Sequence, residues 1–242
     1  VIQAFFISQS LSPAMPQRPD LSSYKTIVLD CDGVVLNSNQ TKVDAYYNTA
    51  KRMGGTDAQA QAFVDYHIQL GSIPRNDKIR YYITEIIKQP LTPELFQAFM
   101  DTFTEILDET LMQCEVAPAL MELKKETAQA KWMLMSGGDQ QELRQIFPRR
   151  GLDHLFELGI YGGPTKKNEH LARMIADGTL QFPALFIGDS RFDHQASTGA
   201  GLDFIFVADW TDMPDWQTYC QTHGVTVCHQ LELSPVTAFC PK

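Results

Sequence analysis

Four short stretches carry residue types suited to holding a cation and moving a phosphoryl group. They are Asp30-x-Asp32-Gly33, Ser136-Gly137-Gly138, the lysine pair Lys166-Lys167, and Gly188-Asp189-Ser190-x-x-Asp193. Oxygen-rich carboxylate clusters suit Mg²⁺, which keeps several waters and shares a substrate's phosphate. Gathered at one pole, such carboxylates would repel one another strongly unless a cation sat among them. A lysine ammonium supplies a second positive charge. Gly137 and Gly138 let the backbone approach a phosphate closely, with N–H groups aimed at its oxygens. One carboxylate can attack phosphorus and form an aspartyl phosphate. A second, two residues on, can protonate the leaving oxygen and then deprotonate the incoming water.

Such chemistry needs elements that bring the four stretches together. Thr26-Ile-Val-Leu29 is a short buried-strand run ending at Asp30, and Trp132–Met135, Leu158–Tyr161, Leu185–Ile187 and Phe204–Val207 repeat the pattern. Strands buried on both faces and alternating with helical sequence predict a parallel α/β sheet. Ligands bind off the carboxyl ends of such strands, where the four stretches lie. Between the first two strands the alternation stops. Val43, Tyr46, Tyr47, Ala50 and Met53 recur at helical spacing before Gly54-Gly55. A second helix runs over Ala60–Leu70 to Gly71 and a third over Ile79–Ile87. Thr92-Pro93 opens a fourth with an N-cap and a first-turn proline. Some seventy residues of helix exceed any single crossover and read as an inserted helical domain.

Composition narrows the function. The chain has 242 residues, 20 Lys and Arg against 29 Asp and Glu, and a formal charge of −9. An acidic chain without a basic run is a poor nucleic-acid binder, and no apolar run is long enough for a bilayer. Five cysteines, an odd number without metal-ligand spacing, fit a reducing cytoplasm better than a disulfide framework. Cys228-His229 has no companion pair to complete a metal site. Phe5-Phe6-Ile7 lacks the charged start and length of a secretory signal, and Ser10–Pro19 reads as a loop.

The four stretches, in this order and at strand ends, resemble the haloacid dehalogenase superfamily in its phosphatase branch. That resemblance implies a three-layer Rossmann-like core with an inserted all-helical cap between the first and second motifs, as in phosphoglycolate phosphatase-like and β-phosphoglucomutase-like members. The expected division is an arm at 1–24, a core at 25–38 and 113–242, and a cap at 39–112. By resemblance Asp30 is the nucleophile and Asp32 the general acid/base. Asp30, the Asp32 carbonyl and Asp189 hold Mg²⁺; Asp193 orients a water or Lys167. Ser136, the Gly137 N–H and Lys167 bind the phosphoryl group. The family spacing Gly-Ser-Pro-x-x-Lys selects Lys167 over Lys166, with Gly163 replacing the small hydroxyl residue. Asn37 stands where many relatives have Asp. Dehalogenases of the superfamily lack the second aspartate, so Asp32 points to phosphoryl transfer.

The implied activity is Mg²⁺-dependent hydrolysis of a small phosphorylated metabolite, a sugar phosphate or a phosphoglycolate-like ester. A phosphomutase shares the same motifs, and a binding module that has lost turnover is a further alternative. No nucleic acid or membrane is expected as partner, and the oligomeric state is open. In the insert, Arg75 and Lys78 lie in a locally basic stretch and are candidate contacts for the leaving group, weighed evenly against a solvated helix start. His67 reads as a packed structural histidine, and His170 and His194 only as neighbours of the motifs.

Overall fold

The computed structural model describes residues 19–69 and 75–236. Seven strands form one sheet: β1 Thr26–Leu29, β2 Lys131–Asp139, β3 Ile160–Gly163, β4 Ala184–Gly188, β5 Asp203–Val207, β6 Thr226–His229 and β7 Ser234–Pro235. Their order is β3-β2-β1-β4-β5-β6-β7. Every neighbouring pair is parallel except β6 with β7. The chain builds outward from β1 through β2 to β3, then returns to lay β4 against the other side of β1. The β1–β4 boundary is thus the switch point, where a crevice opens beyond the strand ends.

Successive side chains of a strand face opposite ways, and β1 shows it. Ile27 and Leu29 pack in one core cluster with Leu120, Leu123, Leu143 and Ile146; Val28 packs in another with Leu171, Met174 and Ala196. Nine helices are described: α1 Asn39–Arg52, α2 Asp57–Gln69, α3 Arg75–Tyr81, α4 Pro93–Gln113, α5 Leu120–Glu126, α6 Gln140–Arg149, α7 Lys167–Ala176, α8 Arg191–Gly199 and α9 Trp216–His223. Helices α5 and α6 cover one face of the sheet. The other is covered by α7 and α8, with α9 against Phe206. The result is the expected three-layer arrangement. Helices α1 to α4 are inserted between β1 and β2, where an all-helical cap was expected.

In the insert, Tyr46, Phe63, Tyr82, Phe99 and Phe103 bury one another through edge, tilted and stacked ring contacts. Thr92 caps α4 by accepting from Leu95 N–H at 3.2 Å, with Pro93 in the first turn.

Four local differences from the sequence expectation have physical causes. The third inserted helix ends at Tyr81 and passes into a π-helical turn, Tyr82–Ile86, which keeps Tyr82 and Ile83 buried. Strand β2 runs on through Ser136-Gly137-Gly138 because Asp139 pairs with Gly163 after a break in register. The third strand starts at Ile160, since Gly159 adopts φ 103° and ends a turn at Leu158. Strands β6 and β7 were not expected; β6 is only four residues with exposed ends, too short and polar to stand out.

Of the expected arm, residues 19–24 are described, and Leu21 is buried in the core there while Tyr24 Oη donates to Asp203 at 2.8 Å. Residues 1–18, the helix end at Leu70-Gly71, and 237–242 lie outside the described residues. No helix among the described residues is long and apolar enough to cross a membrane.

Candidate active site

The switch point is where the carboxylates meet. Asp30 follows β1, and its N–H donates to the Ile187 carbonyl of β4 at 3.0 Å; Asp189 follows β4. Lys167 opens α7, which leaves the end of β3. Its Nζ donates to Asp30 Oδ1 at 2.7 Å and to Asp193 Oδ1 at 2.5 Å. Asp193 is fixed by its own helix. Ser190 and Asp193 form a capping box at the start of α8, and Asp193 Oδ2 accepts from Ser190 N–H at 3.2 Å and Ser190 Oγ at 2.6 Å. Helix geometry thus turns its other oxygen to Lys167. Buried His170 shares a bond with the Gly162 carbonyl at 3.0 Å, tying α7 to the β3 end that carries the lysine loop.

Asp32 faces a different set of partners. Its Oδ1 accepts from Ser38 Oγ at 2.6 Å; its Oδ2 accepts from Ser136 Oγ at 3.1 Å and pairs with Lys42 Nζ. Ser38 stands at the N-cap of α1 and makes no cap bond with its side chain; its hydroxyl points to Asp32 and donates there. Next to it, Asn39 Nδ2 donates to Asp189 Oδ2 and to the Trp210 carbonyl, both at 2.9 Å. Thr211 Oγ1 donates to the Asp189 carbonyl at 2.7 Å. Gly33 makes this crowding possible. Its φ is +76°, and a Cβ there would stand 2.1 Å from Asp189 Oδ2.

Ligand atoms of Asp30, Asp189 and Asp193 all lie within 4.8 Å of one another, and all three residues are buried. Burial, then the charge of Asp193, pushes the Asp30 carboxyl up to about 7, against the pull of Lys167. Burial and Asp30 raise Asp189 well above the carboxylate range. Burial opposes the charge on Asp32, but Lys42 and the three bonds it accepts hold it below that range. Burial opposes the charge on Lys167 as well, yet Asp193 and Asp30 keep it firmly protonated. Three carboxylates against one ammonium leave a formal excess of two negative charges. An all-oxygen donor set with that excess fits a hard divalent cation such as Mg²⁺.

The structure therefore brings together Asp30, Asp189, Asp193 and Lys167, with Asp32 and Ser136 joined directly beside them. Asp32 turns its carboxylate away to Ser38, Lys42 and Ser136, and Asp193 is the third acidic side chain of the cluster. Gly137 is exposed at the edge of the site. The two candidates of the insert are engaged elsewhere. Arg75 makes a two-pronged pair with Glu142 of α6 at 2.5 and 2.7 Å and lies over the Phe103 ring. Lys78 is buried and bonded to His67 Nδ1 at 2.8 Å. His67 itself stacks on Tyr46, and burial, then Lys78, pushes its imidazole down to about 3. Sequence reasoning missed Ser38, Asn39 and Lys42. The available signal was their spacing, which puts Ser38 and Lys42 one helical turn apart.

Against known proteins, a family model described as haloacid dehalogenase-like hydrolase matches residues 27–207. No curated protein matches the chain. Solved structures share its fold at low identity. A protein designated a phosphoglycolate phosphatase, from Haemophilus somnus, has a TM-score of 0.62 and 19% identity, covering 78% of this chain and 87% of its own. One designated a β-phosphoglucomutase, from Thermotoga maritima, has a TM-score of 0.62 and 15% identity, with 86% and 95% covered. The hydrolase YfnB from Bacillus subtilis, solved bound to magnesium, has a TM-score of 0.60 and 16% identity, with 77% and 89% covered.

Proposed function

The chain belongs to the haloacid dehalogenase-like hydrolases, and from that premise we propose that it is a Mg²⁺-dependent phosphatase of small phosphorylated metabolites. One observation carries the reading: Lys167 bridges Asp30 and Asp193, with Asp189 inside the same 4.8 Å cluster and Asp32 beside it. Asp30, Asp189 and the Asp32 carbonyl would hold the cation, with Asp193 fixing Lys167. When bound, the cation neutralises the carboxylates and draws charge from the phosphoryl oxygens. The magnesium in the YfnB structure supports that choice of ion.

The roles follow from position. Lys167 occupies Asp30 Oδ1, and Oδ2 is the oxygen assigned to attack phosphorus in line. Ser136 and the Gly137 N–H receive the phosphoryl oxygens. Asp32, once it has taken up a proton from solvent, passes that proton to the departing alcohol, then takes one from the water that hydrolyses the aspartyl phosphate. Residues 39–112 act as a cap over a core formed by 25–38 and 113–242. Such a lid excludes water and admits small substrates. Composition supports a cytoplasmic setting and partners no larger than metabolites.

The test is phosphate release from a metabolite library, with and without Mg²⁺, by the wild-type protein and Asp30→Asn. Mg²⁺-dependent release that falls by about three orders of magnitude or more in the variant is expected, since a lost nucleophile removes the covalent route. Undiminished release by Asp30→Asn refutes the nucleophile. Isomerisation of a hexose 1-phosphate without free phosphate would make the enzyme a mutase.

A further inference from the structure

We propose that Asn39 is a positioning residue for the cation: it fastens Asp189 to the loop that follows β5, so that cation binding and the seating of that loop are linked. The inference rests on the phosphatase reading above and deepens it at the cation site. An asparagine amide carries two donor hydrogens. Asn39 Nδ2 has two acceptors, Asp189 Oδ2 and the Trp210 carbonyl, both at 2.9 Å. The three residues come from three places: the start of α1, the residue after β4, and the loop after β5. Asp189 Oδ2 has little room to turn away. It lies between that amide and Gly33, where a Cβ would stand 2.1 Å from Oδ2 and 2.6 Å from Asn39 Nδ2. No described residue donates a hydrogen bond to Asp189 Oδ1, which leaves that oxygen for an ion.

The loop depends on these side chains. Asp209 to Asp212 make no backbone–backbone hydrogen bond among the described residues. Asn39 holds the Trp210 carbonyl, and Thr211 Oγ1 donates to the Asp189 carbonyl at 2.7 Å while accepting Met213 N–H at 3.1 Å. The Trp210 side chain packs half-buried against the core. Both the carboxylate and the carbonyl of Asp189 are thus tied to one loop. Asp30 and Asp193 repel the Asp189 carboxylate, and an ion among the three turns that repulsion into attraction. The change reaches Trp210 through a single amide. Linkage is reciprocal: what seats the loop raises cation affinity, and cation binding seats the loop.

The experiment titrates MgCl₂ into the chelator-stripped full chain and reads calorimetry beside tryptophan fluorescence. Trp210 is the reporter. Trp132 is fully buried in β2 and Trp216 stacks on Phe206, and Trp210→Phe identifies the signal. Wild type is expected to show a Trp210 change whose midpoint matches the calorimetric curve. Asn39→Ala should raise the Mg²⁺ Kd by about 10–100-fold, the scale for a hydrogen-bond partner of a ligating carboxylate. It should also lose the fluorescence change at saturating Mg²⁺. A merely structural amide would lose affinity yet regain the full signal once the site is filled. Thr211→Val, which cuts the loop's other tie to Asp189, should move both readouts in the same sense.

A wild-type titration in which Mg²⁺ binds and Trp210 stays silent overturns the inference, whether or not the variants fold. So does an Asn39→Ala Kd equal to that of wild type, or a full signal at saturation in that variant. Phosphate release from p-nitrophenyl phosphate is measured alongside. Release with a silent Trp210 refutes the linkage and leaves the phosphatase reading standing. Neither Mg²⁺ binding nor release by wild type would sink both.

Discussion

Asp30→Asn should change stability as well as turnover, by an amount that grows with pH. In the metal-free protein burial and Asp193 push the Asp30 carboxyl up to about 7, while an unfolded aspartate titrates near ~3.9. Between those values the folded chain holds a proton that the unfolded chain has shed. The folded state is favoured fully below about pH 4, and the advantage is lost as pH rises through about 7. At 1.36 kcal/mol per pH unit the whole span is worth ~4 kcal/mol, and the stretch from pH 5 to 7 about 2, since the group is half titrated at the upper end. His67 acts in the opposite sense. Its imidazole is pushed down to about 3, so the unfolded chain binds its proton up to about pH 6.5, and stability rises with pH there. The two slopes blur the total, so the informative quantity is the difference between variant and wild type at each pH.

Asparagine keeps an acceptor for Lys167 and removes the titration. Urea unfolding in chelator should therefore show Asp30→Asn gaining about 2 kcal/mol on wild type between pH 5 and 7, roughly 2–4 °C in Tm for each kcal/mol in a chain of this length. Mg²⁺ should narrow the gap. It stabilises wild type by ~2.7 kcal/mol at a hundred times its Kd, and more as proton competition fades at higher pH. A difference that stays flat from pH 5 to 7 would show that burial and Asp193 do not raise the Asp30 carboxyl. Equal Mg²⁺ stabilisation of both proteins would show that Asp30 does not hold the ion.

Two further outcomes follow from the packing. Gly54→Ala puts a side chain at φ +87° with nothing within 4 Å, and should cost only the backbone penalty of ~1 kcal/mol. Gly33→Ala, at φ +76° and 2.1 Å from Asp189 Oδ2, should cost about 1–3 kcal/mol more, the price of overpacking, and weaken Mg²⁺ stabilisation; equal losses by thermal unfolding would mean the Asp189 carboxylate moves aside freely. The Arg75–Glu142 pair joins α3 to α6 with each side chain 19% exposed. A double-mutant cycle of Arg75→Met and Glu142→Gln in urea should return a coupling of about 1–3 kcal/mol, and a value near zero would mean the pair does not hold the inserted helices to the core.

What the chain by itself determined was local. A strand buried on both faces shows as an unbroken apolar run, and Thr26–Leu29 is buried throughout. Its end at Asp30 is therefore visible without coordinates, as is the end before Asp189, whereas β2 runs past Ser136 to Asp139. Helical spacing likewise displays the inserted helices, down to the Thr92-Pro93 start of α4. Where the apolar run is too short the reading fails, as for β6, whose two buried residues, Val227 and Cys228, lie between exposed ends.

Only the tertiary structure decided which ends meet. Nothing in the order of the motifs says that β4 lies against β1 rather than at an edge, and that adjacency is what puts Asp189 beside Asp30. The same holds for Lys42. In sequence it is one more lysine on an amphipathic helix, and Arg75 looks equally available. Packing of the insert on the core gives Lys42 to Asp32 and Arg75 to Glu142. Side-chain patterns record which face of an element is buried, whereas partners depend on crossovers and docking angles between elements far apart along the chain.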